Sequence, residues 1–448
     1  MVRERQFYTS FFAMLFVLVL QNVITLSVNL ADNMMLGAYR ETSLAGVAAV
    51  NQIQFIYQQL LTAAGEGVVI LGTQYFGKGQ TGQIKVIASI AMHFAIGLSV
   101  FLFILVSVFP HQILSVFITD ESIISEGMFY LKIIRYSYLF FAITQLLLAT
   151  LRSVGTVQIA LGLSVWSLII NCMINYTLIY GHFGAPRLGV KGAAIGTLTA
   201  RITELMILIL YISKKEKTMR LSVKDFLQTD SLLRNDYFKV SLPVMLISGL
   251  WGLNTAAQNA ILGHMTARAI AANSVASTIF LLVKSFAVGT ASAASFFIGR
   301  TVGEGDEKKL KQYANTMQIL FVCIGLLSGL TLFLIKAPIL SVYQLEPETR
   351  VLANQFLTIL CVVVITMSYQ MPTNIGIIRG GGDSGFVMKM DLISIWCIVI
   401  PLSFFMAFVV KASPAVVVIC LNADQVFKCV PAFLKANYGH WAKKLTRA

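Results

Sequence analysis

An all-α, polytopic membrane protein is the fold class the sequence predicts, and three observations predict it. The chain is 57% hydrophobic, with 12% charged residues in 448 positions, against about 25% charged in ordinary globular domains. Its mean hydropathy is +0.78. Apolar runs of about 18–25 residues recur along the whole length, each long enough to cross a bilayer as a helix.

Twelve spans are expected, with boundaries that apolar windows place to about four residues. The first six are roughly 8–36, 45–76, 84–109, 129–151, 157–181 and 190–213. The second six are roughly 238–263, 270–299, 313–335, 352–378, 386–410 and 414–436. In the last span the polar residues Asn422, Asp424 and Lys428 interrupt the apolar run. The division expected is an amino-terminal six-helix lobe over 1–213, a basic linker over 214–237, and a carboxy-terminal lobe with a short basic tail over 238–448.

The net charge of +14 is distributed over alternate loops, as a membrane topology requires, and not as a nucleic-acid-binding face. Lys and Arg concentrate in the segments that an even number of spans puts on one side, which places both termini in the cytoplasm and the protein in the cytoplasmic membrane. The opening MVRERQFY leads into an apolar run too long for a signal core, so the first span is expected to serve as its own insertion signal. Within the linker, Leu221, Phe226, Leu227, Leu232, Leu233 and Tyr237 predict one helix lying along the inner leaflet, its basic residues facing anionic lipid. The six cysteines are scattered without CxxC spacing, which implies neither a disulfide framework nor a zinc site.

The two halves repeat. Sliding the chain along itself in one fixed register superposes Asn33, Leu36, Gly37 and Ala45 on Asn259, Leu262, Gly263 and Ala271, and Gly77 and Gly79 on Gly303 and Gly305. One residue more brings Arg152 and Gly155 onto Arg379 and Gly382. Duplicated six-helix halves in one orientation are an architecture of secondary transporters, whose substrate path runs at the interface of the repeats.

Asp32, flanked by Asn29 and Asn33, is the sole ionisable group of the first apolar run, which starts near Phe11, and the repeat register sets it opposite Gln258. A carboxylate at membrane depth is costly without a wet cavity, a cation or a proton. From Phe11 to Asp32 is about 31 Å of helix, so an interfacial position satisfies the same run. Asn171 and Asn175 lie four apart on one helix face, and Thr197 on the next span can add a hydroxyl. With Asp32 they offer one charge and several neutral oxygens, suited to a proton or to Na⁺ held by Asp32 and Asn175. The same amides and hydroxyl also serve simply to join helices.

Lys284 lies near the middle of its span, too deep to snorkel, and requires a partner, a neutral state or a water-filled cavity. Arg201 and Glu204 are spaced to neutralise each other as a structural pair. Glu66 and Asp391 fall towards the inner ends of their spans, as gate or interface residues. No GxxxxGK[ST] motif is present, and GGGDSG at 380–385 lacks a phosphate-gripping lysine, so an ion gradient is the drive expected, with no cofactor. The five histidines are dispersed, which argues against a membrane-embedded enzyme.

These motifs in this order resemble the multidrug and toxic compound extrusion (MATE) family: NLADNMMLG (29–37), GTQYFGKGQ (72–80), LRSVGT (151–156), INCMINYTLIYG (170–181), GVKGAAIGTLTARITE (189–204), IGRTVGEGD (298–306) and IIRGGGDSGFVMKMDLISIW (377–396). The resemblance implies two pseudo-symmetric six-helix bundles in a V. It implies an antiporter exporting amphipathic, often cationic, drugs or metabolites in exchange for H⁺ or Na⁺. A monomer is expected. By the same resemblance the coupling carboxylate is Asp32, with Asn171, Asn175 and Thr197 around it. Independently of the resemblance, Asn29, Asn33, Gln258 and the deeply placed Lys284 are expected in the substrate cavity. One branch carries an aspartate where Asn175 stands, which tilts the expectation towards protons. A flippase of lipid-linked or polyanionic cargo, sharing the fold, is the alternative.

Overall fold

A computed structural model describes residues 2–117, 120–342 and 346–447. The side chains of 256, 259, 263, 267, 270 and 342 are outside that description, so the expected match of Asn33 and Gly37 with Asn259 and Gly263 lies outside the described residues. The helices are α1 (Arg5–Tyr39), α2 (Glu41–Gly77), α3 (Thr81–Val108), α4 (Pro110–Ser115), α5 (Glu121–Ile134), α6 (Ser137–Ser153), α7 (Gln158–Tyr180) and α8 (Val190–Lys214). They continue as α9 (Ser231–Met265), α10 (Ala267–Glu304), α11 (Glu307–Val342), α12 (Pro347–Met371) and α13 (Ser384–Asp391). The last four are short: α14 (Ile400–Phe404), α15 (Pro414–Leu421), α16 (Asp424–Phe427) and α17 (Cys429–Tyr438).

Among the described residues, ten helices are long and apolar enough to cross a membrane, and α5 with α6, bent by 56°, makes an eleventh. The all-helical membrane class is as expected. α2 fills the second expected position but is not among these spans; Asn51, Gln52, Gln54, Gln58, Gln59 and Glu66 dilute its apolarity. The late spans are irregular. π-helical stretches follow α12 (Pro372–Arg379), α13 (Leu392–Val399) and α14 (Phe405–Val409), and the final span breaks around Asn422 and Lys428. Such bulges and breaks recur where a membrane protein has a function to place.

The chain falls into two compact units, one of Leu20–Gly72 and Gln80–Ser241, the other of Met1–Val19, Thr73–Gly79 and Leu242–Ala448. In the first, α7 and α8 lie side by side because Gly192 and Gly196 remove side chains from the contact; a Cβ at Gly192 would strike the Leu178 backbone. The linker departs from the single inner-leaflet helix expected. It forms a short 3₁₀ turn, Val223–Leu227, capped reciprocally by Ser222 and Asp225, and α9 starts afresh at Ser231 with Asp230 accepting from the Leu232 and Leu233 N–H groups. Lys85 Nζ donates to Asp225 at 2.9 Å and to the Arg220 carbonyl at 3.1 Å, while the Tyr237 hydroxyl donates to the Ala64 carbonyl at 2.9 Å. These polar ties fix the linker locally, so its apolar residues split between the buried Leu233 and Tyr237 and the exposed Leu227 and Leu232.

In the second unit the chain end folds back as a strap. Trp441 is buried against Gly381 and donates to the Ala436 carbonyl at 2.8 Å. Lys443 N–H donates to the Gly381 carbonyl, and Gln74 bonds the Lys443 carbonyl and the Leu445 N–H. Lys435 and Lys443 both reach Asp383, at 3.0 and 2.9 Å. Burial pushes the Asp383 carboxyl up, but the hydrogen bonds and charges of Lys443 and Lys435 outweigh it and hold it below the usual carboxylate range. A depressed carboxylate stabilises fully above its unfolded value, about 3.9, and loses that contribution as pH falls through the folded one. The strap is therefore expected to resist protease at its Lys443–Lys444 site from neutral pH down to about 4. Asp383→Asn is expected to make that site cleavable already at neutral pH. Unchanged cleavage in Asp383→Asn would show that the ion pairs do not hold the strap.

The repeat is visible in backbone conformation. Gly79 and Gly305, which the first register pairs, have φ of +75° and +79°. Gly155 and Gly382, paired one residue further on, have +83° and +107°. Only glycine adopts these turns without strain.

Candidate functional site

Within the first unit, α1 brings Asp32 against α7 and α8. Asn175 Nδ2 donates to Asp32 Oδ1 at 2.5 Å, and to Asn171 Oδ1 at 3.2 Å; Asn171 Nδ2 donates to Thr197 Oγ1 at 3.3 Å. The i, i+4 spacing stacks the two amides on the inner face of α7, where Asn175 is 0% and Asn171 1% exposed. Gly196 on α8 lies opposite, and a Cβ there would overlap Asn175 Oδ1. That oxygen has no hydrogen-bond partner among the described residues. A buried orphan acceptor is costly unless a water, an ion or a proton-carrying group completes its bonding. Tyr130, which the sequence alone does not single out, is fully buried beside this chain and engages Thr197.

The depth of Asp32 is now defined by contacts. α1 runs on to Tyr39, so Asp32 stands about 10 Å short of the helix end, with its carboxylate turned onto α7 and not to the surface. A hydrogen bond from an amide to an ionised carboxylate contributes about 1.5–3 kcal/mol. It fixes the rotamer of a carboxylate that can receive a proton or ion.

The other expected residues fall in separate places. Asn29 and Asn33 are exposed on α1 and make no side-chain hydrogen bond among the described residues. Gln258, in the second unit, donates to Asn254 Oδ1 at 3.4 Å. Lys284 Nζ lies 4.3 Å from the centroid of the Trp251 ring and makes no ion pair with an acid among the described residues. Arg201 donates to Glu204 at 2.9 Å and covers the Phe141 ring. Glu66 is paired with Arg152 at 2.5 Å, and Asp391 with Lys428 at 2.7 Å. Neither partner is legible in the sequence, although Arg152 belongs to the LRSVGT motif.

Comparison with known proteins agrees with this architecture. A family model described as MatE matches residues 18–177 and 243–405. Among curated relatives, a probable multidrug resistance protein NorM of Thermotoga maritima is 24% identical over 436 residues, covering 95% of this chain and 92% of that protein. A probable multidrug resistance protein YoeA of Bacillus subtilis is 25% identical over 405 residues, with 88% and 86% covered. Of solved structures, a mutant of the Vibrio cholerae MATE transporter VcmN superposes with a TM-score of 0.88 at 16% identity, covering 98% of each chain. A MATE protein in complex with MaL6 gives 0.87 at 16% identity, with 95% of each covered. At that identity the likeness carries the fold alone.

Proposed function

The chain belongs to the multidrug and toxic compound extrusion (MATE) family, and from that premise we propose that it is a proton-coupled antiporter exporting amphipathic organic cations, with Asp32 as the coupling carboxylate. The observation that carries this reading is the hydrogen bond from Asn175 to Asp32 beside an orphaned, fully buried amide oxygen. One carboxylate held by an N–H donor suits a group that exchanges a single proton. A Na⁺ ion asks for several oxygen ligands at once, and here only one of them carries charge. Protonation would weaken the pull on Asn175, and through Asn171 and Thr197 the change would reach both α7 and α8. Both termini are assigned to the cytoplasm and the protein to the cytoplasmic membrane, on the loop distribution of Lys and Arg.

Efflux of a fluorescent cation from proteoliposomes, with the pH and Na⁺ gradients imposed one at a time, tests the proposal. Export driven by the pH gradient alone is expected. Export driven only by Na⁺ would transfer the same site to that ion, and export under neither gradient would overturn the antiport reading.

A second reading, export of anionic or zwitterionic cargo, is favoured by Lys284 resting on Trp251 with no acid of the described residues in ion-pair distance. Such a cation–π contact contributes about 0.5–2 kcal/mol and leaves the ammonium available. On the cationic reading, Lys284→Met is expected to lower the coupled efflux of an organic cation several-fold while its equilibrium binding is retained. Selective loss of anion export in the same variant would favour the second reading instead.

A further inference from the structure

We propose that the second unit contains a monovalent-cation pocket kept permanently filled by the chain's own Lys428 ammonium. Lys428 Nζ donates to Asp391 Oδ1 at 2.7 Å and to Asp424 Oδ2 at 2.9 Å. Lys428 is 3% exposed and Asp424 5%, in the middle of the last span, where the helix breaks into α16 and α17. Gln425 Nε2 also donates to Asp424 Oδ2, at 2.7 Å, and Gln425 Oε1 accepts from Gln370 at 2.6 Å. Gln370 Oε1 in turn accepts from Asn374 at 3.0 Å. The chain of amides ends in Asn374 Oδ1, buried without a hydrogen-bond partner among the described residues, on the π-helical stretch after α12.

Two carboxylates converging on one point, with carboxamides behind them, are the ligands a hard cation takes. Here the point of convergence holds a tethered ammonium. The repeat register that joins Arg152 to Arg379 also carries Thr197 onto Asp424 and Arg201 onto Lys428. The second unit therefore has its charged cluster at the repeat-equivalent stretch of α8, which in the first unit contributes to the Asp32 cluster. In the first unit the carboxylate has no cation of the described residues within ion-pair distance; in the second the cation is built in. A fixed internal cation cannot exchange with solvent, so the second unit is electrostatically locked. Lys428 fills this pocket whether or not Asp32 is the coupling group.

The test removes the tether. Lys428→Ala is made in an Asp32→Asn background, so that the amino-terminal carboxylate takes no part. Its thermal unfolding in detergent is compared in ammonium, sodium and choline chloride at equal ionic strength. Ammonium and sodium are expected to raise the midpoint saturably, by about 3–6 °C over choline, because a cation bound only by the folded state stabilises it by mass action. The background protein and the Asp391→Asn/Lys428→Ala/Asp424→Asn variant are expected to show no difference among the three salts. Equal midpoints in all salts for Lys428→Ala would overturn the proposal. Should Lys428→Ala not yield folded protein, Asp391→Asn/Lys428→Ala, which keeps one carboxylate, is measured in its place, and an absent cation response there overturns it equally.

Discussion

Asp32→Asn is expected to reduce gradient-driven efflux by about 5–150-fold, the span that a coupling free energy of a few kcal/mol allows, while expression and thermal midpoint stay close to the parent. The substitution is nearly isosteric, and the new amide still offers an oxygen to Asn175 Nδ2 where Oδ1 now accepts at 2.5 Å. The packing of α1 on α7 therefore has no cause to change. What is lost is the one group of the four whose charge can alternate, since Asn171, Asn175 and Thr197 are neutral at any accessible pH. Counterflow without a gradient separates this from simple damage: it is expected to persist in the variant, because substrate exchange needs no ion step. Loss of counterflow together with driven efflux would make Asp32 a substrate contact or a structural residue. Driven efflux at the parent level would remove it from the coupling role altogether.

What could be read from the sequence was governed by how far apart the interacting residues lie. The long helices were legible because each needs only its own apolar run, and the stacked Asn171 and Asn175 because four residues on a helix always face one way. The glycine turns were legible because the repeat offered each a second copy, and Gly79 with Gly305 and Gly155 with Gly382 share their positive φ. The ion pairs were not. Glu66 finds Arg152 from 86 residues away, and Asp391 finds Lys428 from 37, distances at which no periodicity reports a partner. In the last span Asp424 and Lys428 counted only as interruptions, since a hydropathy window adds charge as a penalty and cannot see that one charge cancels another. The linker failed for a different reason: its apolar spacing suited a helix, but Ser222, Asp225 and Asp230 drew backbone N–H groups into local caps that divide it.

The largest loss of stability is expected where the repeat meets itself. The ends of α2 and α10 cross so closely that a Cβ on Gly77 would enter the Arg300 carbonyl and the Glu304 N–H, and one on Gly303 would enter the Gln74 carbonyl. Gln74 and Arg300 are repeat equivalents in the same register as Gly77 and Gly303, so the crossing is symmetric: each glycine lies on the residue three before its counterpart. The obstacles are backbone atoms that no side-chain rotation can move aside. Gly77→Ala or Gly303→Ala must then part the two helices, and overpacking of this kind costs about 1–3 kcal/mol or more. Gly162→Ala and Gly249→Ala, where an added Cβ meets nothing within 4 Å, are the controls, expected to be neutral or slightly stabilising, since alanine favours the helix by about 1 kcal/mol. Because both glycines serve one contact, the double substitution is expected to cost clearly less than twice either single one. Midpoints of thermal unfolding in detergent measure all five proteins on one scale. Additive losses would mean that Gly77 and Gly303 act at separate contacts, and a loss at Gly162 equal to that at Gly303 would show that the effect does not come from the crossing, since helix propensity alone favours alanine.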